Sequence, residues 1–447
     1  MADTSGQAKL VSRHAYPVPG KILIEELFFD VPLDHSSPSH RTIRIFARSA
    51  TRYSLPIHPL SSPESIKASQ KPWLLWLQGG PGGACPTPQS QACTHIFLDH
   101  GYQVLHVDQR GTGLSTPVTA ATLALQGDVQ QQADYLKLFR ADSIVRDAEA
   151  IRKVLTAEYP EELKRWTIYG QSFGGFCAFT YLSFHPEGVQ DAFVSGGVPP
   201  IGKSVDEVYS KLFIQAKKRN KAYYTKFPMD VKRVYKLVEH FDSKGGLPMP
   251  SGGVMTGKRF LLLGMNFGSK GGIQSVHDLV LKMSSELEHF GFITRPSLSS
   301  FEGSTNFDDN AIYAILREAI YCDGKSSNWA AERMSSSFPE FSLGNKTASK
   351  DQPLYLPGGM VFPFMFDVCP ELQQLKDVAH LLATFENWPK LYDEEQLKRN
   401  KVPLYVASFV DDAYVDFKFV QETLEGVGKD TKEVLEKMFG LRDDVMD

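Results

Sequence analysis

The stretch Trp166-Thr167-Ile168-Tyr169-Gly170-Gln171-Ser172-Phe173-Gly174-Gly175 reads as an apolar strand, a G-x-S-x-G turn and the start of a helix. The helical pattern continues from Phe176 to His185. A serine at such a bend is forced outward, because the neighbouring glycines relieve the crowding of a sharp strand-to-helix turn. The helix N-terminus then faces any negative charge that develops on a reacting oxygen. Residue types and context together point to nucleophilic chemistry at Ser172. The competing reading is a plain glycine-rich turn between a strand and a helix.

Working outward, short apolar runs flank this segment on both sides: Trp73 to Leu77, Val104 to Val107, Ala192 to Val194 and Leu404 to Phe409. Apolar runs of this length, alternating with helical patterns, are what a mainly parallel sheet covered on both faces produces. The helix before the central strand is legible in Ile144, Val145, Ala148, Ile151, Val154 and Leu155. Two further strands are expected over 22–31 and 41–50, joined by a Pro- and Ser-containing turn. The fold class is therefore α/β with a mainly parallel central sheet.

From about Pro199 to Asp393 the strand-helix rhythm stops. Long amphipathic patterns such as Val205 to Lys218 and Val276 to Phe290 replace it, with Gly- and Ser-containing breaks at 243–253 and 267–273. A run of this length between two sheet strands is too long for a plain loop. The expected division is a core over 1–200, a helical cap over 201–393 inserted before the last strand, and a shortened return to the core over 394–447.

Composition excludes several other classes. The 447 residues are 42% hydrophobic and 22% charged, and 48 Lys and Arg against 52 Asp and Glu leave a net charge of −4. That balance belongs to a globular chain with no broad electrostatic footprint for nucleic acid or an anionic membrane. The five cysteines show neither CxxC spacing nor a paired His motif, which argues against a disulfide framework and a structural zinc site. No apolar run reaches the roughly 18 residues of a membrane span, and Met1 to Gly20 lack the pattern of a secretory signal. A cytoplasmic location is the expectation. Nothing in the sequence suggests a metal or an organic cofactor.

Strand Trp73 to Leu77 runs into Gln78-Gly79-Gly80-Pro81-Gly82-Gly83. A phosphate-binding loop would need a following Gly-Lys-Ser/Thr, which is missing. The turn is better suited to supply one backbone N–H of an oxyanion hole, Gly80, beside the N–H of Phe173. Val402 to Val410 has a buried-strand pattern with Asp411 and Asp412 at its end. An acid there follows the serine in the chain order of hydrolases that use an acid and a late histidine. A strand-end cap is the alternative role for these aspartates.

Three segments taken in order, Gln78-Gly79-Gly80-Pro81-Gly82, Asp108-Gln109-Arg110-Gly111-Thr112-Gly113-Leu114-Ser115 and Gly170-Gln171-Ser172-Phe173-Gly174-Gly175, resemble the prolyl aminopeptidase (proline iminopeptidase) family of α/β-hydrolases, of the fungal type. The resemblance extends from about residue 20 to the end, with Gln78 where the family usually has His. It implies a peptidase that releases an N-terminal residue, often proline, from a small peptide or amino-acid amide through an acyl-enzyme. It favours Asp412 over Asp411 as the acid. It also implies a cap carboxylate that holds the substrate ammonium group. Leu316-Arg317-Glu318-Ala319-Ile320-Tyr321 and Asn328-Trp329-Ala330-Ala331-Glu332-Arg333 resemble the family's cap, making Glu318 and Glu332 the candidates; ordinary helix-surface carboxylates are the competing reading.

One part of the pattern breaks. None of the twelve histidines follows Asp412, although the catalytic base of this fold normally arrives last. A helical pattern from Val415 to Leu424, a Gly426-Val427-Gly428 break and a closing helix with Val434, Leu435, Met438 and Phe439 on one face leave no room for another strand and a His-bearing loop. The chain is thus expected to lack the family's last strand and its base together. His106 and His185 are poor substitutes by position. His380 precedes the acid-bearing strand and could approach from the cap side, but core or surface histidine is the better reading for all three. Three functions are compatible with this reading: a serine aminopeptidase, a binding protein that has lost the base, and an esterase or biosynthetic acyl-handling enzyme on the same scaffold.

Overall fold

The computed structural model describes residues 7–37, 41–53, 70–305, 307–342 and 352–428. The closing helix expected beyond residue 428 lies outside them. Eight strands form one sheet in the order β1-β2-β3-β5-β4-β6-β7-β10. These are β1 (Lys9–Val18), β2 (Ile22–Pro32), β3 (Thr42–Arg52), β4 (Trp73–Leu77), β5 (Gln103–Val107), β6 (Trp166–Gln171), β7 (Val189–Ser195) and β10 (Leu404–Ala407). β1, β2, β3 and β5 pair antiparallel, whereas β5, β4, β6, β7 and β10 run parallel. A small antiparallel ribbon, β8 (Leu247–Pro248) with β9 (Val254–Met255), forms separately.

The side-chain pattern explains these assignments. All five residues of β4 are buried, as expected for a central strand covered on both faces. β2 changes its buried face along its length. Ile22 and Ile24 pack with Leu98 on one side, while Leu27, Phe29 and Val31, of opposite parity, join the larger core on the other. β1 lies outside it at the sheet edge, with exposed or half-buried side chains throughout.

β7 and β10 are direct neighbours, so the chain from 196 to 403 leaves the sheet and returns beside its point of departure. This run is largely helical. It opens at Val205–Lys226, whose Ser204 and Glu207 form a reciprocal cap, and includes Gly272–Phe290. Tyr223, Val234, Phe241, Phe260, Val280, Met283 and Phe301 give it an apolar core of its own. After β10 comes the helix Phe417–Glu425. Among the described residues no further strand pairs with β10, so the acid-bearing strand forms the sheet edge. No helix there is long and apolar enough to cross a membrane.

One buried ion pair anchors the loops below the sheet's C-terminal end. Arg110 Nε and Nη2 donate to Asp147 at 2.7 and 2.5 Å, and the same guanidinium reaches the carbonyls of Pro32, Leu33 and Leu138. His35 Nε2 lies 2.7 Å from Asp147 Oδ1. Burial alone would raise the Asp147 carboxyl, but the Arg110 charge and the His35 contact outweigh it and hold the group below the usual range. The contribution is therefore present above the ordinary aspartate range and is lost as pH falls through the depressed folded value. Asp147→Ala, which leaves a buried guanidinium unpaired, should cost about 3–5 kcal/mol in urea unfolding at pH 7. A loss below about 1 kcal/mol, the scale of exposed pairs, would contradict this role.

Candidate active site

Ser172 sits between the end of β6 and the helix Phe173–Phe184 with φ 51° and ψ −120°. That conformation costs a non-glycine residue of order 1–3 kcal/mol and persists only where its surroundings enforce it. Here they do so by close backbone approach. A Cβ on Gly174 would lie 1.9 Å from the Leu77 carbonyl oxygen, and one on Gly197 would lie 1.8 Å from the Ser172 carbonyl oxygen. Ser172 N–H donates to Ser195 O at 2.8 Å, which ties the bend to the end of β7. The side chain is left exposed and opens on a cavity of about 230 Å³.

The glycine-rich turn after β4 reaches the same cavity. A Cβ on Gly79 would stand 3.1 Å from Ser172 Cβ and 3.7 Å from its Oγ, so the loop can approach the hydroxyl only as bare backbone. Gly80 and Phe173 both line the cavity. Neither N–H has an acceptor among the described residues, and Ser172 gives the helix no side-chain cap. Two unpaired backbone donors beside an exposed hydroxyl have the form of an oxyanion hole.

The Asp108-Gln109-Arg110 motif builds the scaffold of this loop. Asp108 accepts from Cys85 N–H at 2.7 Å and from Leu114 N–H at 2.9 Å, clamping two turns together. Gln109 Nε2 donates to the Gln78 carbonyl at 2.9 Å. Gln78, which stands where the family usually has His, accepts at Oε1 from Trp76 Nε1 at 2.9 Å. Its substitution leaves the backbone donors in place.

Asp412 follows β10 and the half-exposed turn behind it. Its Oδ1 accepts from Tyr414 N–H at 2.7 Å and Val415 N–H at 3.1 Å, and both of those residues line the cavity. Its Oδ2 lies 3.9 Å from where a Cβ on Gly196 would sit, at the end of β7 beside the elbow. Burial pushes the Asp412 carboxyl up, opposed by the two N–H donors and by the charges of Arg219 and Arg317. Asp411 is exposed and lends only its carbonyl, to Arg219.

The two cap glutamates are not brought to the cavity. Glu318 is 5% exposed and accepts from the N–H groups of Ala330 and Ala331 at 3.0 and 2.9 Å, at the start of the helix Ala330–Ser335. Glu332 is exposed on that helix. The polar lining comes instead from residues that the sequence alone did not single out for a site role: Tyr313, Arg317, Tyr321 and Tyr414. Tyr414 packs across Gly268, where a Cβ would meet its ring at 2.3 Å, and its hydroxyl donates to Met265 O at 2.5 Å. The residue two places after the acid is thereby pinned to the insertion.

Among the described residues no histidine lines this cavity. His106 is buried beside Thr94, with Nε2 2.9 Å from Thr94 Oγ1, and burial pushes its pKa down to about 3. His185 stands at the far end of the elbow helix near Glu187, and His380 accepts from Trp329 Nε1 at 3.3 Å. No group of three or more metal-ligating side chains occurs among the described residues.

The backbone strain at the nucleophile has a direct signature. Glycine relieves the left-handed penalty but gains entropy in the unfolded chain. Ser172→Gly should therefore be more stable than Ser172→Ala by about 1 kcal/mol in chemical denaturation. Equal stabilities, or a less stable glycine variant, would contradict the strained geometry.

Residues 72–236 match the α/β-hydrolase fold family. Proline iminopeptidase aneH of Aspergillus aculeatus is 40% identical over 457 aligned residues, covering 98% of each chain. A proline iminopeptidase of Aeromonas sobria is 38% identical, covering 90% of this chain and 89% of its own. One from Neisseria meningitidis is 28% identical over 31% of this chain and 37% of its own. Near-complete coverage at this identity, on an elbow serine facing two free N–H groups, places the chain in the prolyl aminopeptidase (proline iminopeptidase) family of α/β-hydrolases.

Proposed function

We propose that this protein is a serine-type aminopeptidase that releases an N-terminal residue, proline by preference, from small peptides through an acyl-enzyme on Ser172. The observation that carries this reading is the exposed Ser172 hydroxyl opening on a cavity with the unpaired N–H groups of Gly80 and Phe173. The relatives that align over nearly the whole chain bear the name proline iminopeptidase, which supports the substrate class. In the first half-reaction Ser172 Oγ attacks the scissile carbonyl carbon. The carbonyl oxygen becomes an oxyanion facing the two N–H groups. As it collapses the C–N bond breaks, and the amine leaves with the proton that Ser172 gives up, passed through solvent water. Water then cleaves the serine ester. Asp412 takes the place of the family acid, with one oxygen fixed by Tyr414 and Val415.

The resemblance implies a cap carboxylate for the substrate ammonium, but both oxygens of Glu318 are held by the N–H groups of Ala330 and Ala331, away from the cavity, and it is given no part in that contact. Glu332, exposed and away from the cavity, is given no part.

The proton of Ser172 has no imidazole to receive it among the described residues. In a serine protease, loss of the triad histidine costs about 10⁶ in turnover and leaves roughly 10³–10⁴ over water. Hydrolysis of a proline arylamide should therefore be slow, at that residual level. Since removing the serine as well adds little to the loss, Ser172 is tested by acylation. A proline p-nitrophenyl ester should leave a prolyl group on Ser172 by intact-mass measurement and none on Ser172→Ala. No prolyl adduct, or an equal one on Ser172→Ala, would overturn the assignment.

The missing imidazole also favours a second reading, a binding protein that retains the pocket without turnover. It predicts that prolinamide raises the melting temperature of wild type and of Ser172→Ala alike while arylamide hydrolysis stays at background. No melting shift in either protein would remove it.

A further inference from the structure

We propose that Arg317 is a specificity-determining anion site in the Ser172 cavity and that the preferred substrate carries a carboxylate besides its scissile amide. This rests on the aminopeptidase reading for the identity of the substrate, although the binding site itself does not depend on turnover.

The other buried guanidinium groups of this protein are satisfied by its own carboxylates and carbonyls. Arg110 pairs with Asp147 and donates to three backbone carbonyls. Arg140, 1% exposed, donates to the carbonyls of Ala319, Cys322 and Pro389. Arg259, 3% exposed, reaches the carbonyls of Val254 and Val368 and lies 3.6 Å from Asp308. Arg152, 9% exposed, pairs with Glu149 at 2.5 Å and donates to the Lys164 carbonyl. Arg317, 6% exposed, shares with Arg140 the lack of a carboxylate partner but has one carbonyl where Arg140 has three. Its one carbonyl contact is a long Nε bond to Gly359 O at 3.5 Å, shared with the Tyr313 hydroxyl at 2.9 Å. The Tyr321 hydroxyl is a further contact, and the rings of Tyr313 and Tyr321 lie 5.6 and 5.5 Å from its guanidinium carbon.

No carboxylate lies within ion-pair distance of Arg317 among the described residues. Asp412 feels the Arg317 charge but lies outside ion-pair distance, with its Oδ1 held by Tyr414 and Val415, and Glu318 gives both oxygens to Ala330 and Ala331. A guanidinium has five N–H donors in a fixed fork that matches a carboxylate. Burying one without a partner anion is costly, and a bound carboxylate removes that cost. Since Arg317 lines the same cavity as Ser172, that carboxylate arrives on the substrate.

Two parts of a short peptide can supply it: the C-terminal carboxylate of a dipeptide, or an acidic side chain on the N-terminal residue. Titration calorimetry on the full-length Ser172→Ala protein separates them. One pair of ligands is prolylglycine and prolylglycinamide; the other is glutamylglycinamide and glutaminylglycinamide. We expect the acid to bind about tenfold or more tightly than its neutral partner in one pair, the scale of a charge-assisted bidentate contact. A preference in the first pair identifies the chain-end carboxylate, and in the second the side chain.

Adding Arg317→Met should abolish that preference, and Arg317→Lys should keep part of it. Equal binding within both pairs, no binding by any of the four, or a preference that survives Arg317→Met would overturn the proposal. The comparison of acid with amide in the Ser172→Ala protein decides the matter even if the methionine variant does not fold. Because this is an equilibrium measurement on a protein without the nucleophile, it can succeed where arylamide hydrolysis fails, and the reverse.

Discussion

Backbone contact at residues 77, 172, 174 and 197 fixes the Ser172 hydroxyl, the nucleophile of the proposed reaction. The ends of three adjacent parallel strands, β4, β6 and β7, approach so closely that no side chain fits at Gly174 or Gly197. Ser172 is left with a positive φ and an outward hydroxyl. Interior packing of this density does not deform continuously, so the bend cannot relax without separating the strands. The free N–H groups of Gly80 and Phe173, the oxyanion donors of the proposed reaction, depend on the same contact. Phe173 N–H is unpaired because it begins the helix at that bend, and the Gly79–Gly80 turn reaches the hydroxyl only because it too lacks side chains.

The insertion completes the site from the opposite side. Gly82 carries no side chain where Asn310 Oδ1 would meet one at 2.1 Å, and Gly111 does the same for Ile312. The helix Ala311–Leu316 is therefore seated directly on the loops that follow β4 and β5. Arg317 follows that helix immediately, which brings a buried positive charge into the nucleophile's cavity. Tyr414, fixed against Gly268 and Met265, ties the acid-bearing turn to the insertion. The cavity is thus a joint product of the sheet and the helices above it, and its electrostatics come mainly from the latter.

The parallel strands and the elbow were legible because each is a local signal: four to six apolar residues, then glycines at fixed offsets. β1 was not, because an edge strand with exposed side chains has no apolar alternation to read. The helix expected over 205–218 extends to Lys226, since no glycine or proline stops it earlier. The strand expected over 404–409 ends at Ala407, where the chain turns toward Asp412. Tyr313, Arg317 and Tyr321 recur at helical spacing, but nothing in that local pattern says that their face meets Ser172 and Tyr414, which come from distant parts of the chain. Glu318 shows the converse. Its motif was visible, but its carboxylate faces the N–H groups of the helix Ala330–Ser335, a partner that the sequence does not specify.

The claim on which all of this turns is that the oxygen of Ser172 can form a covalent bond to an electrophile in the cavity. Incubation with an alkyl fluorophosphonate, followed by intact-mass measurement and peptide mapping, reads that capacity directly. A single adduct on Ser172, slowed by competing prolinamide, is the predicted result. An unmodified protein after prolonged exposure, or a label carried elsewhere in the chain, would contradict it.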